Sequence, residues 1–140
     1  MGTSCADACI ANEDALWQGH VLSATTNAAD AGGVPWDPSG PPDPYAEVTV
    51  AGVLEATSVA NNSTTPLWGE VLFDGIPTAD FAEGLLIEIW DADTLLDDSM
   101  GQCSVMIETT EFGVPLQREC TDDGDNLQWT LQLSIEVAPT

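Results

Sequence analysis

A chain of 140 residues is long enough for one domain with a single core and leaves no room for a second. Its 24 acidic residues stand against a single Lys or Arg, a formal charge of −23, while 44% of the residues are hydrophobic. That hydrophobic share excludes a disordered polyelectrolyte. The missing cations exclude recognition of a nucleic-acid backbone, which needs Lys and Arg to displace counterions, and also exclude a polybasic patch of the kind drawn to anionic lipid.

Residues 1–15 are small and polar and read as an arm ahead of a domain at 16–140. Leu16 to Thr25 is the first expected strand, with Trp17 and Val21 facing inward; the lone His20 falls on the other parity and receives no role. Residues 27–42 hold three Gly and four Pro, too many for a regular element, and form a long first loop containing Trp36 and Asp37 and ending at Asp43. Ala46, Val48 and Val50 then alternate with Glu47 and Thr49, so 45–50 is a half-buried strand, with 53–60 as its neighbour. The polar run 61–65 carries two Asn-x-Ser/Thr patterns, at Asn61 and Asn62. A short strand is expected at 70–74, a connection at 75–84 and a strand at 85–90. Further strands follow at 101–108 and 129–137; 111–119 reads as irregular and 121–126 as a tight turn. Seven or eight such strands separated by turn signals make an all-β, antiparallel sandwich.

The most informative stretch is 85–101. Leu85, Ile87 and Ile89 occupy one parity, and Asp91 and Asp93 continue it beyond the strand. Asp97 and Asp98 follow after the apolar tip Leu95-Leu96. Close carboxylates repel by roughly 4 kcal/mol per pair at an effective dielectric near 20, so a compact loop needs either wide solvation or a hard cation with oxygen ligands, for which calcium is the better fit. The turn at 122–125, with Asp122, Asp123 and Asp125, is either an ordinary turn or a second ion site.

Asp37, Asp43-Pro44-Tyr45, Thr65-Pro66-Leu67-Trp68-Gly69-Glu70, Asp91-Ala92-Asp93 and Asp98-Ser99-Met100-Gly101 occur in the order and spacing of motifs in the C2 domain family, which this chain resembles from about Leu16 to Val137. The resemblance implies an eight-stranded Greek-key β-sandwich with calcium-binding loops at one end. It implies Ca2+ held by Asp37, Asp43, Asp91, Asp93 and Asp98, with backbone carbonyls near Trp36 and Ala92 completing the shell. Loop 3 is one residue shorter than the common pattern, so Asp97 and Asp98 compete for the last place, and the distance to Gly101 favours Asp98. In many C2 domains bound calcium bridges the loops to phospholipid headgroups. Trp36, Leu95 and Leu96 would then enter the bilayer or anchor a protein partner, unless Trp36 folds back into the core. The alternative function is a secreted, calcium-stabilised structural or self-assembly module that does not bind membrane.

Cys5, Cys9, Cys103 and Cys120 do not match zinc-site spacing and read as disulfides; pairings that send Cys5 and Cys9 to Cys103 and Cys120 are favoured because long loops gain most from closure. Together with the acidic surface this suggests an extracellular or cell-surface setting, with any signal peptide absent from this chain. No apolar run is long enough to span a membrane. With one His, one Arg and no Lys, an enzyme is not expected, since the clustered carboxylates are better explained as ligands.

Overall fold

Strands whose residues alternate apolar and polar have one face to hide, and two such sheets hide their faces against each other. The computed structural model describes residues 3–5, 9–11, 15–29, 33–35, 40–121 and 130–140. Within the arm, β1 (Thr3–Cys5) and β2 (Cys9–Ala11) pair as a small antiparallel hairpin, where no regular element was expected. Eight further strands follow: β3 (Leu16–Thr25), β4 (Pro44–Val50), β5 (Val53–Ala56), β6 (Leu67–Pro77), β7 (Leu85–Asp91), β8 (Asp98–Val105), β9 (Pro115–Thr121) and β10 (Thr130–Pro139). They form two antiparallel sheets of four, in the orders β6-β3-β10-β9 and β5-β4-β7-β8.

The core lies where the inward parities meet. Trp17 and Val21 of β3 and Leu133, Ile135 and Val137 of β10 come from one sheet; Ala46, Val48 and Val50 of β4 and Leu85, Ile87 and Ile89 of β7 come from the other. Burying each large aliphatic contributes about 1.5–3 kcal/mol. An aromatic group closes one side, with Trp17 edge-on to Phe112 at 5.0 Å and Phe81 edge-on to Phe112 at 6.3 Å. The Trp17 indole N–H donates to Thr78 Oγ1 at 2.8 Å, so its polar atom is not stranded in the core.

Several boundaries differ from the sequence reading. β5 stops at Ala56 because Thr57 replaces the ladder: the Ala46 amide donates to Thr57 Oγ1 at 2.9 Å while the Thr57 amide donates to the Ala46 carbonyl. β6 is longer than 70–74, beginning after Pro66 and ending at Pro77, and β3 pairs with it through register shifts. The connection 75–84 contains a short helix, α1 (Thr78–Ala82), which places Phe81 in the core. Residues 115–121, expected to be irregular in part, form an edge strand against β10, with Pro115 at its first position and, among residues 115–119, only Leu116 buried. β8 begins at Asp98 rather than at Gly101, which decides the geometry of the acidic loop. No helix among the described residues is long and apolar enough to cross a membrane.

Candidate metal centre

β7 delivers the first carboxylate. Its inward residues Leu85, Ile87 and Ile89 are followed on the same parity by Asp91, which is therefore carried into the interior and is 0% exposed. β8 returns antiparallel, and its register contains a bulge: Ile89 stands opposite Gly101, but Trp90 stands opposite Ser99, leaving Met100 as the extra residue. The bulge brings Asp98, and not Ser99, opposite Asp91. Met100 is buried by it, and Gly101 takes φ 133, a conformation that other residues rarely adopt.

Asp91, Asp93 and Asp98 consequently offer carboxylate oxygens that all lie within 4.8 Å of one another. Asp91 Oδ1 accepts the backbone N–H of Asp43 at 2.8 Å, while Asp91 Oδ2 is buried without a hydrogen-bond partner. Asp43 also fixes two neighbours: its carbonyl accepts the Ala92 amide at 3.0 Å and its Oδ1 accepts the Asn62 amide at 2.8 Å. One residue at the mouth of β4 thus ties the 61–62 turn and loop 3 to the buried carboxylate. Asp97 has a separate duty. Its Oδ2 accepts the Tyr45 hydroxyl at 2.5 Å and its Oδ1 accepts the Asp93 amide at 2.9 Å, so both oxygens hold the loop in shape.

The electrostatics follow from that geometry. Unit charges at this separation repel by about 3 kcal/mol per pair at an effective dielectric of 20, less where a partner is exposed, as Asp93 and Asp98 are. Burial raises the Asp91 carboxyl above its ordinary range; the Asp43 amide pulls it down, and the charges of Asp93, Asp43 and Asp98 push it up again. Asp98 is raised first by sharing a hydrogen bond with Asp93, then by burial and by the charges of Asp93 and Asp97. Asp97 moves the opposite way, lowered by the Tyr45 hydroxyl and the Asp93 amide. Burial and the neighbouring Asp97 carboxylate raise the Tyr45 phenol. A buried anion with an unused oxygen, facing two more carboxylates, is a donor set for a hard cation; all-oxygen donors suit calcium or magnesium and not zinc or copper.

Of the residues expected at this site, Asp91, Asp93 and Asp98 converge, and Asp43 reaches the cluster through its backbone. Trp36 and Asp37 lie outside the described residues, as does the 122–125 turn. Leu95 and Leu96 project from loop 3, 93% and 80% exposed. Tyr45 and Asn62 were given no role at this site in the sequence; the Asp-Pro-Tyr motif was the signal available for Tyr45, whereas Asn62, read only within an Asn-x-Ser/Thr pattern, takes part through its backbone amide. Cys103 is half-buried and disulfide-bonded, while the side chains of Cys5, Cys9 and Cys120 lie outside the described residues, so the pairing is not described.

The family model for the C2 domain matches residues 20–123, and that span contains both the central strands β4 and β7 and the acidic cluster. The chain belongs to the C2 domain family. A C2 domain-containing protein of Arabidopsis thaliana is 35% identical over 94 residues, 67% of this chain and 12% of that protein, so this C2 domain spans about an eighth of the relative it matches. Among solved structures, a C2 domain of plant extended synaptotagmin 1 superposes with a TM-score of 0.65 at 15% identity, covering 92% of this chain and 98% of that one. A calcium-bound structure of two C2 domains of extended synaptotagmin 2 gives a TM-score of 0.58 at 24% identity, covering 90% of this chain and 46% of that one.

Proposed function

We propose that this C2 domain binds calcium between its acidic loops and uses the loaded loops to dock on a phospholipid surface. The observation that carries the reading is the Asp91 carboxylate, wholly buried, with Oδ2 unpartnered beside Asp93 and Asp98. Asp91, Asp93 and Asp98 would hold the ion, with Asp37 and Asp43 as the further ligands implied by the motif spacing; Asp97 is already committed to Tyr45 and the Asp93 amide. Bound calcium would cancel carboxylate charge and accept headgroup oxygens. The chain's own contribution beyond the ligands is Leu95 and Leu96, which stand free at the apex of the same loop. Membership of the C2 family and likeness to a calcium-bound family structure support the reading.

The acidic surface and the cysteines extend the proposal to an extracellular or cell-surface setting, and the presence of one Arg and no Lys favours a second reading. In that reading calcium rigidifies the loops and Leu95-Leu96 anchor a protein, a second copy of this chain included. Calorimetric titration with calcium, followed by sedimentation with mixed phosphatidylcholine and phosphatidylserine vesicles in calcium or chelator, separates the two. Heat of calcium binding with vesicle binding that needs calcium supports membrane docking. Calcium binding with self-association and no vesicle binding supports assembly, and an absence of calcium binding removes both.

A further inference from the structure

We infer that the loops of this domain select zwitterionic phospholipid, of the phosphatidylcholine type, over anionic phospholipid. The inference rests on the membrane docking proposed for the same loops and concerns which headgroup they take.

Charge at the docking end comes first. Asp43, Asp91, Asp93, Asp97 and Asp98 put five carboxylates there, and even two calcium ions would leave their sum negative. No cation is at hand to reverse it: the chain has a single Lys or Arg, Arg118, and its guanidinium is held by Glu111 at 2.6 Å and turned to the carbonyls of Gln117 and Met106. The sheet leading up to the loops adds to the repulsion, for Glu47 of β4 and Glu88 of β7 are direct cross-strand partners on its outer face. Like charges directly opposite are unfavourable in a sheet, and a face so arranged repels a surface of net negative charge. The whole chain, at −23, approaches an anionic surface against a repulsive potential, whereas a zwitterionic surface presents no such net field.

What remains to hold the domain on a membrane is apolar. Leu95 and Leu96 are adjacent, 93% and 80% exposed, at the tip of the loop that carries the cluster. Bilayer hydrocarbon would cover them, and that gain does not depend on lipid charge. Calcium bound to the carboxylates then acts mainly by removing the charge that keeps these leucines out of the interface, with the headgroup phosphate of a zwitterionic lipid as an available oxygen donor.

The test is partitioning of the intact chain onto vesicles of pure phosphatidylcholine, and onto vesicles containing about one third phosphatidylserine, in calcium and in chelator, at low and high salt. Calcium-dependent binding to phosphatidylcholine that exceeds binding to the serine-containing vesicles, and that holds or strengthens as salt rises, supports the inference, since salt screens repulsion as well as attraction. Leu95→Ser with Leu96→Ser should lower partitioning by at least about tenfold while leaving the calorimetric calcium titration unchanged. Serine-containing vesicles bound as tightly as phosphatidylcholine vesicles, or more tightly, would overturn the selectivity and leave membrane docking intact. Failure to bind either vesicle although calcium binds would overturn docking itself, and unchanged partitioning of the double serine variant would remove the leucines from the account.

Discussion

Replacing Asp91 by Asn tests the site at its most buried ligand. In the calcium-free protein the Asp91 carboxylate is taken out of water, receives one hydrogen bond from the Asp43 amide and faces Asp93 and Asp98 within 4.8 Å. Each of those two repulsions amounts to about 3 kcal/mol at a dielectric of 20, and the exposure of both partners reduces the pair together to on the order of 1–3 kcal/mol. Asparagine has nearly the same volume, keeps an oxygen for the Asp43 amide and offers its NH₂ to the two remaining carboxylates. The calcium-free variant should therefore melt higher than the wild type. At about 3–5 °C per kcal/mol for a domain of this size the gain is about 3–15 °C in chelator. In calcium the order reverses. Wild type should gain about 2.7 kcal/mol at a hundredfold excess of calcium over Kd, whereas the variant should respond little. The pH dependence carries the same sign. Because Asp91 and Asp98 are raised in the folded protein, that protein takes up protons more readily than the unfolded chain between the ordinary carboxylate range and the raised values. Their contribution destabilises at neutral pH and is relieved as the pH falls through that window, and Asp91→Asn should remove the share of the relief that Asp91 supplies. Thermal melts followed by circular dichroism in chelator and in millimolar calcium are sufficient. A variant that melts below wild type in chelator, or that keeps the full calcium response, would refute the view of Asp91 as a buried charge suited to a cation.

Tyr45→Phe should leave the sandwich intact and weaken calcium severalfold, because it frees Asp97 and with it the amide of Asp93; equal titration curves would deny the hydroxyl a positioning role. Glu111, lowered chiefly by Arg118, should lend stability above its ordinary pKa that is lost as pH falls through its folded value, and a double-mutant cycle on Arg118 and Glu111 should give about 0.2–1 kcal/mol at neutral pH and nothing in acid. Gly19→Ala should cost about 1–3 kcal/mol by urea unfolding, since the new methyl would sit 3.0 Å from two carbons of the Phe81 ring; a neutral result would mean that Phe81 can yield. Mass spectrometry of the unreduced chain should find no free thiol and should link Cys5 and Cys9 to Cys103 and Cys120; four alkylatable thiols would reject that framework.

The parts of the fold legible from sequence were those where one physical signal dominates. Along 85–91 the alternation is uninterrupted, so both the strand and the inward direction of Asp91 follow from parity alone, and β3, β4 and β10 were legible for the same reason. β9 was not, because an edge strand that begins with Pro115 and carries Gln117, Arg118 and Glu119 buries little and leaves a weak pattern. The end of β5 depends on the Thr57 hydroxyl meeting the Ala46 amide, a tertiary hydrogen bond that no local period encodes. Helix α1 is five residues long and exists to place Phe81 against Phe73 and Phe112, which also lies outside any window of residues.

The bulge at Met100 is the part of the site that the residue pattern alone does not encode. Side chains on a strand repeat every two residues, so moving the β7–β8 register by one exchanges the residues that share a face. With the register set by Ile89 and Gly101 and no bulge, the residue opposite Asp91 would be Ser99, and Asp98 would be displaced along the strand. The extra residue restores opposition between Asp91 and Asp98, and its cost is met locally: Met100 gains burial in the core, and Gly101 accepts the positive φ that the kink imposes. The Asp-x-x-Gly spacing is therefore a backbone requirement as much as a ligand pattern. Glycine is needed where the strand recovers its pleat, and the aspartate three residues earlier is the position that the bulge returns to the partner's acidic end. The arrangement holds with a short loop because residues 92–97 span only the gap between the paired ends of β7 and β8, and Asp97 fastens that gap to Tyr45.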